Sequence, residues 1–525
     1  MATLQSRPTT PLLRQRISLL IILIALSLVF CFLPVASPQD DITTLDSAIK
    51  KLITKYKLTK SKIGIKAISL TDNTVIYERN ADTRLIPASN LKLFTTGAAL
   101  CLLGPDFNYE TALYRDGQIT TLRSPVDRAN GVLEGNLIVK SNGNPNVSGR
   151  FYDGHSTAVF EEWGRTLNAL GIKEVAGAII IDDTAFDREY LVPSWPSDQL
   201  CNWYCAPISA VSFNDNCVDI TVYPTLQPAR MGSPVDRADK KNDHVRYRLE
   251  PETDYVTMVN KCQLTARSSL QSIELWRTPE TNTITIKGRC YDGGDAYKAS
   301  VTIDEPGLYF GTVLKETLSR KSGITVSGEV MLADKTFDPQ KEHLAKIASV
   351  KTDLVTTLAV TNKNSQNFYA EQLVKTLGYY STGKGTWKSG LAQIRKFLKD
   401  NNIISEVDAD DFIQRDGSGL SPQDRVTANQ MANLLVYLAR HKYGEKFLET
   451  LAVSGVDGTL KKRLNGKGKA HQVWAKTGYI KNVSALSGYI KNGNHIAFSI
   501  IINGVADVSR AKQFQDEVVS LLMEY

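Results

Sequence analysis

Strand-like patterns occur near both ends of this 525-residue chain, and this arrangement constrains the fold more than any other feature. Residues 62–78 read as a hairpin, "KIGIKAISL" and "TVIYE", around the turn Thr71-Asp72-Asn73. The C-terminal region holds "HQVWAKTGYI" and "ALSGYIKNGNHIAFSIIING", followed by a helical pattern over 508–524. Helical patterns such as "NFYAEQLVKTLG" follow residue 350. We therefore expect an α+β domain whose sheet is assembled from both ends of the chain.

The region between these ends has a different character. Residues 106–345 consist of short β-rich segments, such as "GAIIIDD" and "GITVSGEVML", separated by Gly, Pro and Asn turns. The sequence therefore predicts that residues 38–105 and 346–525 form one domain. Residues 106–345 would be inserted into it as one or two β-rich domains that lie outside its sheet.

Residues 1–37 are typical of a targeting segment. They contain Arg7, Arg14 and Arg16, no acidic residue, and the apolar run "ISLLIILIALSLVFCFL". This run is near the lower length limit for crossing a bilayer, so a signal peptide cleaved near Ala36 and an uncleaved membrane anchor both stay open. Either interpretation predicts an exported chain, in the periplasm or another extracytoplasmic compartment.

Charge and cysteine content limit the ligands that we expect. The net charge of +7 falls to +4 without the three arginines of the first 37 residues, and no basic cluster of the kind that binds nucleic acid is evident. The remaining six cysteines permit disulfides in an exported chain, with buried free thiols as the alternative. Zinc binding by "CNWYC" and Cys217 has little support, because no histidine lies nearby and the spacing fits no common finger. We expect no metal and no cofactor.

The segment "IPASNLKLFTTGAAL" places a lysine on a mostly apolar helix. If the helix begins near Pro87, then Ser89, Lys92 and Thr96 share one face, and the serine and lysine side chains touch. Burial would favour the neutral amine of Lys92, a base able to activate the weakly nucleophilic hydroxyl of Ser89. The spacing alone is not specific, because Ser-x-x-Lys also begins at Ser47, Ser381 and Ser509.

Two further patterns follow in the chain. Lys476-Thr477-Gly478 lies on a predicted strand, where a cation and an accessible backbone N–H could meet an extended ligand. Ser-x-Asn occurs between the other two patterns at Ser212-Phe213-Asn214 and at Ser365-Gln366-Asn367. The second is favoured, because it precedes a helix in the helical region. Ser-x-x-Lys, Ser-x-Asn and Lys-Thr-Gly in this order are typical of penicillin-binding proteins and class A β-lactamases.

The chain resembles the D-alanyl-D-alanine carboxypeptidase/endopeptidases among the low-molecular-mass class C penicillin-binding proteins, from about Lys62 to Ala511. The supporting segments are "RLIPASNLKLFTTGAAL", "GNLIVKSNGNP", "WYCAPISAVSFNDN", "NSQNFYAEQL", "RDGSGLSPQDRVT", "GVDGTLKKRL" and "AKTGYIKNVSALSGY". The long insert between the first two motifs suits this class rather than a β-lactamase. The resemblance implies a penicillin-binding, β-lactamase-like transpeptidase domain, in which helices flank an antiparallel sheet beside a helical subdomain, with a large β-rich insertion.

The resemblance also implies a reaction. Ser89 would attack the D-Ala-D-Ala carbonyl and become acylated, with Lys92 as its base. Ser365 would relay a proton to the leaving amine, and Asn367 would bind the substrate amide. The implied substrates are peptidoglycan stem peptides ending in D-Ala-D-Ala and their cross-links, and β-lactams would acylate and inhibit the enzyme.

The Lys-Thr-Gly strand would bind the substrate. The resemblance implies that Lys476 and Thr477 hold its terminal carboxylate beside Gly478, and that the backbone N–H groups of Ser89 and Tyr479 form the oxyanion hole. The family usually has threonine where this chain has Tyr479. Tyrosine keeps the N–H but removes a small hydroxyl from the carboxylate site.

Two insert and loop residues resemble family positions that line a pocket for the stem peptide's side chain. They are Asp198, which Trp195 and Trp203 bracket, and Arg415, which opens "RDGSGLS". An ordinary surface position would give the same pattern at either site. Two other functions stay open for the whole chain: a catalytically weak cell-wall scaffold, and a β-lactam hydrolase.

Overall fold

The computed structural model describes residues 38–122, 130–224, 245–405, 411–466, 470–492 and 494–524. The chain divides into two compact units, 1–52 and 53–525. The first unit contributes the start of helix α1 (Pro38–Lys55). The strands and the other helices belong to the second unit.

The regular elements alternate between strand-rich and helix-rich stretches. The helices after α1 are α2 (Lys92–Leu103), α3 (Ala158–Ala169), α4 (Pro306–Ser322), α5 (Leu354–Lys363), α6 (Asn367–Thr382), α7 (Trp387–Asp400), α8 (Ala428–Arg440), α9 (Gly444–Glu449) and α10 (Val508–Leu522). The strands are β1 (Lys62–Ser69), β2 (Val75–Arg79), β3 (Asn108–Arg115), β4 (Gln118–Leu122), β5 (Asn130–Glu134), β6 (Leu137–Ser141), β7 (Ile172–Val175), β8 (Ile179–Asp182), β9 (Cys217–Tyr223), β10 (Arg246–Glu250), β11 (Thr257–Asn260), β12 (Gln263–Thr265), β13 (Glu274–Arg277), β14 (Thr283–Lys287), β15 (Arg289–Tyr291), β16 (Tyr297–Thr302), β17 (Thr325–Val326), β18 (Val330–Leu332), β19 (Ala345–Asp353), β20 (Ala452–Val453), β21 (Val473–Ile480), β22 (Val483–Asn492) and β23 (Asn494–Asn503).

A six-stranded antiparallel sheet joins the two ends of the second unit, in the order β2-β1-β23-β22-β21-β20. Strand β1 pairs with β23 along its whole length, from Lys62 opposite Asn503 to Ser69 opposite Ile496. Strand β23 is rich in the β-branched residues that fit a pleated, buried surface. The predicted assembly of one sheet from both ends of the chain is confirmed.

Helix α2 occupies the centre of the helical region and contacts α5, α6, α7 and α8. Its residues from Lys92 to Leu100 are all buried, which its composition permits because Lys92 is its one charged residue. The helix ends at Gly104, where φ is +80° and the N–H donates to the carbonyl of Leu100. A glycine with positive φ is a common end for a helix, because it has no Cβ atom to oppose this conformation.

The insert builds its own sheets and its own core. The described strands form the orders β18-β8-β6-β3-β19, β17-β7-β5-β4, β10-β9-β16, β11-β14-β13 and β12-β15. Aromatic side chains fill this core, among them Phe160, Phe213 and Phe310. The last strand, β19, reaches Asp353, whose carboxylate accepts the first N–H bond of α5 from Thr356. The boundaries at 105 and 346 stay predictions.

One segment of the insert leaves this core and enters the other one. Trp195, Cys205 and Ile208 are buried among the residues of α2, α6 and α8 rather than among the aromatic residues of the insert. Most of the buried apolar residues in the segment 185–217 therefore pack with the domain that encloses the insert, whereas Cys201, Val211 and Phe213 pack with the insert's own core. The segment also brings insert residues to the start of helix α6.

Two predictions about the chain's ends and thiols have different outcomes. The predicted targeting segment, residues 1–37, lies outside the described residues, and within the described ranges no helix is long and apolar enough to cross a membrane. The six cysteines after residue 37 are free thiols, and five of them are buried. Free thiols, not disulfides, are thus the arrangement found.

From the packing of the central sheet we predict where truncation of an apolar side chain destabilises the fold most. Ile500 is fully buried in β23 between β1 and β22, so Ile500→Ala should lower the free energy of unfolding by about 2–5 kcal/mol. Val75→Ala on β2, where the side chain is 43% exposed, is the control and should cost far less. Thermal unfolding of both variants measures the difference; equal shifts in Tm would contradict this account of the sheet.

Candidate active site

A tight turn before helix α2 brings Ser89 and Lys92 together. Residues Ala88–Leu91 form a 3₁₀ turn that continues into α2, and Ala88 has a left-handed φ of +48°. The Lys92 Nζ atom lies 3.0 Å from the Ser89 Oγ atom. The predicted contact between the two side chains is therefore present, although Ser89 lies in the 3₁₀ turn rather than in the α-helix.

The Lys92 amine is fully buried and has three neighbours within hydrogen-bond distance. Besides Ser89, these are Asn367 Oδ1 at 2.7 Å and the carbonyl oxygen of Ser418 at 2.8 Å. Both oxygens can only accept hydrogen bonds. A neutral amine has two N–H donors for these two acceptors, and its lone pair then points to the remaining neighbour, the Ser89 hydroxyl. This geometry is that of a base beside its nucleophile.

Burial and charge act on Lys92 in opposite directions. Burial is the larger effect and lowers the lysine pKa to about 7, while Asp416, Glu371 and Asp424 oppose it. These three carboxyl groups are themselves fully buried. The amine is therefore largely neutral just above neutral pH.

The buried carboxyl groups are held mainly by backbone N–H groups of the "RDGSGLS" loop. Asp416 accepts from Ser418, Gly419 and Ser421, and from the Trp195 indole at 2.9 Å. Glu371 accepts from Gly417 and the Trp387 indole, both at 2.8 Å.

Burial, together with the nearby Asp416, raises the Glu371 pKa to about 7. Burial also raises the pKa of Asp424 well above its usual range. The effect of these carboxyl groups on Lys92 was not predicted from the sequence. Asp416 and Glu371 lie in the quoted segments "RDGSGLSPQDRVT" and "NSQNFYAEQL", but the spacing of these segments does not indicate that the two side chains lie close together.

A second serine–lysine pair closes the site from the other side. Lys476 on β21 donates to the Ser365 hydroxyl at 2.7 Å and to the carbonyl of Thr477 at 2.8 Å. Ser365 has a left-handed φ of +60°, a strained conformation for a residue other than glycine. Burial, and then the nearby Lys92, lower the Lys476 pKa well below its usual value. An anionic ligand group beside Lys476 would restore its charge.

The alternative serine lies in the protein interior. Ser212 is buried, its hydroxyl donates to the carbonyl of Ser209, and it accepts hydrogen bonds from Gln372 and Asn216. Ser365 instead contacts Lys476 and borders the open cleft. The geometry therefore favours Ser365 over Ser212 as the second serine.

The strand β21 approaches the Ser89 turn closely at Gly478. A Cβ atom there would lie 2.7 Å from the carbonyl oxygen of Pro87 and 3.1 Å from the backbone N of Asn90, so only glycine fits. The Thr477 hydroxyl contacts that of Thr459 at 2.9 Å. Tyr479 is 58% exposed.

These residues border a cleft of about 980 Å³. Its walls include residues predicted from the sequence, namely Ser89, Ser365, Asn367, Thr477, Gly478 and Tyr479. Lys92 and Lys476 lie beneath it, fully buried. Asp198 and Arg415 are different: both are exposed and neither lines the cleft, although Gln199, which follows Asp198 in the chain, does. Their binding roles stay predictions.

Unpredicted residues complete the cleft. Trp203 and Tyr204 form one wall, and the carbonyl of Tyr204 accepts the Asn367 amide at 2.9 Å, which fixes the orientation of that side chain. Among the residues that the structure describes, no group of three or more His, Cys, Asp and Glu could hold a metal ion. The site offers a serine hydroxyl beside a buried amine, and a second lysine beside which an anionic ligand group could bind.

The chain is similar in sequence to proteins of a known family. The D-Ala-D-Ala carboxypeptidase 3 (S13) family matches residues 45–525. A D-alanyl-D-alanine carboxypeptidase from an Actinomadura species is 30% identical over 92% of this chain and 85% of its own length. The D-alanyl-D-alanine carboxypeptidase DacB from Haemophilus influenzae is 27% identical over 85% of this chain and 86% of its own.

The crystal structure of penicillin binding protein 4 from Haemophilus influenzae has the same fold. It superposes with a TM-score of 0.74 at 24% identity and covers 91% of this chain and 99% of its own. The predicted penicillin-binding fold is confirmed. The chain belongs to the D-Ala-D-Ala carboxypeptidase 3 (S13) family and is a serine-type D-Ala-D-Ala carboxypeptidase.

Proposed function

We propose that this enzyme cleaves peptidoglycan stem peptides through an acyl-enzyme on Ser89. The Ser89 oxygen attacks the carbonyl carbon of the penultimate D-Ala, and its proton passes to the neutral amine of Lys92. The backbone N–H groups of Ser89 and Tyr479 stabilise the oxyanion, each contributing roughly 2.7–4 kcal/mol by analogy with similar donors. The C–N bond then breaks, and water later hydrolyses the ester.

The second pair acts on the leaving group. Ser365 relays to the departing amine the proton that Lys92 took from Ser89, so that Lys92 is neutral again and Ser365 keeps its hydroxyl. Lys476, charged once a carboxylate is bound beside it, holds the terminal carboxylate together with Thr477. Asn367 binds the amide on the acyl side and keeps Lys92 in place. The 2.7 Å contact between Lys476 and Ser365 supports this relay.

One observation carries the proposal. The buried Lys92 amine is surrounded by two oxygens that can only accept hydrogen bonds, those of the Asn367 amide and the Ser418 carbonyl, and by the Ser89 hydroxyl. A protonated lysine would be poorly suited to this site, because burial disfavours its charge. A non-enzymatic cell-wall scaffold has no need of such an amine. The same site could react with β-lactams, which we propose as inhibitors rather than substrates to be turned over.

The location of the substrate supports export. Peptidoglycan lies outside the cytoplasm, and residues 1–37 have the composition of a signal peptide or anchor. We therefore propose a periplasmic or other extracytoplasmic enzyme. Its N-terminal segment is either cleaved off as a signal peptide, which releases the enzyme, or kept as a membrane anchor. Cross-links between stem peptides present the same type of D-amino-acid amide, so endopeptidase activity is included in the proposal.

The serine assignments predict a clear difference between three alanine variants. Ser89→Ala should abolish covalent labelling by a fluorescent penicillin, because no nucleophile remains. Ser365→Ala should slow labelling severely, whereas Ser212→Ala is the matched control and should label at nearly the normal rate. Gel fluorescence and mass spectrometry of the labelled peptide measure this.

Retained labelling of Ser89→Ala would refute the nucleophile, and equal losses in the two other variants would refute the choice of Ser365. Rapid turnover of penicillin by the unmodified enzyme would instead favour the β-lactam hydrolase.

The pKa of Lys92 predicts a pH dependence of acylation. The base must be unprotonated, so the acylation rate should fall about tenfold for each pH unit below about 7 and level off above it. Lys92→Ala should slow acylation by orders of magnitude and remove this inflection while the fold is retained. Stopped-flow measurement with penicillin tests both. A rate independent of pH in the unmodified enzyme would contradict the role of Lys92.

The residue at position 479 predicts a gain of function. If the family's usual threonine hydroxyl binds the substrate carboxylate, Tyr479→Thr adds a charge-assisted hydrogen bond worth roughly 1.5–3 kcal/mol. The kcat/KM for a D-Ala-D-Ala peptide should then rise about tenfold or more. The backbone N–H is kept, so acylation by a ligand without that carboxylate is the control and should barely change. A lower kcat/KM for the peptide would show that the exposed tyrosine ring has its own role.

A further inference from the structure

A second cavity, of about 420 Å³, lies beside the catalytic cleft and shares Trp203 with it. Its other walls come from the insert, including Arg150, Asp215 and Asp219, and from Gln366. Gln366 is the middle residue of Ser365-Gln366-Asn367, whose outer two residues border the cleft. A ligand that extends out of the cleft past Trp203 would therefore enter this second cavity.

The cavity presents planar polar groups in fixed positions. The Asp215 carboxylate accepts from the Arg150 guanidinium and from the Tyr369 hydroxyl at 3.1 Å. The Asp219 carboxylate accepts from Ser300 and from the Asn214 amide at 3.2 Å. Each carboxylate oxygen has a second acceptor site, so both groups can still accept from a ligand.

Gln366 adds an amide with unused hydrogen-bonding capacity. Among the described residues its side chain makes no hydrogen bond, although it is only partly exposed and faces the cavity. An amide can both donate and accept, and the Arg150 guanidinium also has further N–H groups besides the one given to Asp215. The cavity thus offers donors as well as acceptors.

Trp203 supplies an apolar surface at the entrance. Its side chain is 43% exposed, and its ring packs edge to face against Tyr204 with centroids 5.6 Å apart, which restrains the ring plane. An exposed indole at the border of two cavities loses water when an apolar face covers it. The ligand should therefore combine one C–H-rich face with many hydroxyl or amide groups.

The charges select against other ligands. The two carboxylates outweigh the one arginine, which is already paired with Asp215, so the cavity disfavours a phosphate or carboxylate. Two carboxylates beside a guanidinium are also a poor set for a metal ion. An uncharged sugar satisfies all of these features. We propose that this cavity binds an N-acetylated sugar of the glycan strand to which the stem peptide is attached. The inference rests on the proposed function, because it assumes that the peptide in the cleft belongs to peptidoglycan.

Sugar binding can be measured without any catalytic step. The full chain is titrated by calorimetry with a β-1,4-linked trimer of N-acetylglucosamine. Asp219→Ala and Ser300→Ala should each weaken binding, by about tenfold or more for the carboxylate, as expected for the loss of hydrogen bonds to a charged group. Asp334→Asn, at an exposed carboxylate elsewhere in the insert, is the control and should bind as the unmodified chain does. Absence of saturable binding, or unchanged affinity in both cavity variants, overturns the proposal.

A kinetic comparison connects the cavity to the reaction. The kcat/KM for a stem peptide linked to its disaccharide, divided by that for the free peptide, should exceed one, and Asp219→Ala should bring this ratio close to one. A ratio of one in the unmodified enzyme overturns the inference. Failure of the proposed function looks different: penicillin would not acylate Ser89, whatever the affinity for the sugar.

Discussion

The structure of the site depends on the removal of one lysine amine from water. Lys92 lies fully buried at the start of helix α2, next to Ser89 in the preceding turn. Its other two neighbours come from distant parts of the chain: Asn367 at the start of α6, and the carbonyl of Ser418 in the loop before α8. Burial outweighs the attraction of the nearby carboxylates and lowers the pKa. The sheet, the helical region and the loop must all be in position before this amine becomes a base.

The buried carboxyl groups set how strongly Lys92 holds its proton. Each negative charge near it raises the lysine pKa, but Glu371 and Asp424 are themselves pushed toward their neutral forms by burial and by Asp416. The negative charge around the amine is thereby limited, which keeps the lysine pKa low. The fixed backbone N–H groups around Asp416 and Glu371 hold this arrangement in place.

Sequence reasoning succeeded where the determinants are local. The contact of Ser89 with Lys92 follows from three-residue spacing on a helical turn, and the sheet follows from strand patterns at the two ends. The buried Asp416 could not be predicted in its role, since its effect on Lys92 comes from tertiary packing rather than from spacing. The binding roles of Asp198 and Arg415 stay predictions, since both side chains are exposed and neither lines the cleft.

The segment 185–217 has a consequence for the history of this architecture. Because Trp195 donates to Asp416 and Tyr204 accepts from Asn367, part of the insert is built into the support of the reactive amine. The insert is therefore not a separable domain. Deleting it would remove its own sheets and also the hydrogen bonds that hold Asp416 and Asn367 in place. This segment contributes side chains to both hydrophobic cores. We therefore expect related enzymes to differ in the size of the outer sheets far more than in the length of this segment.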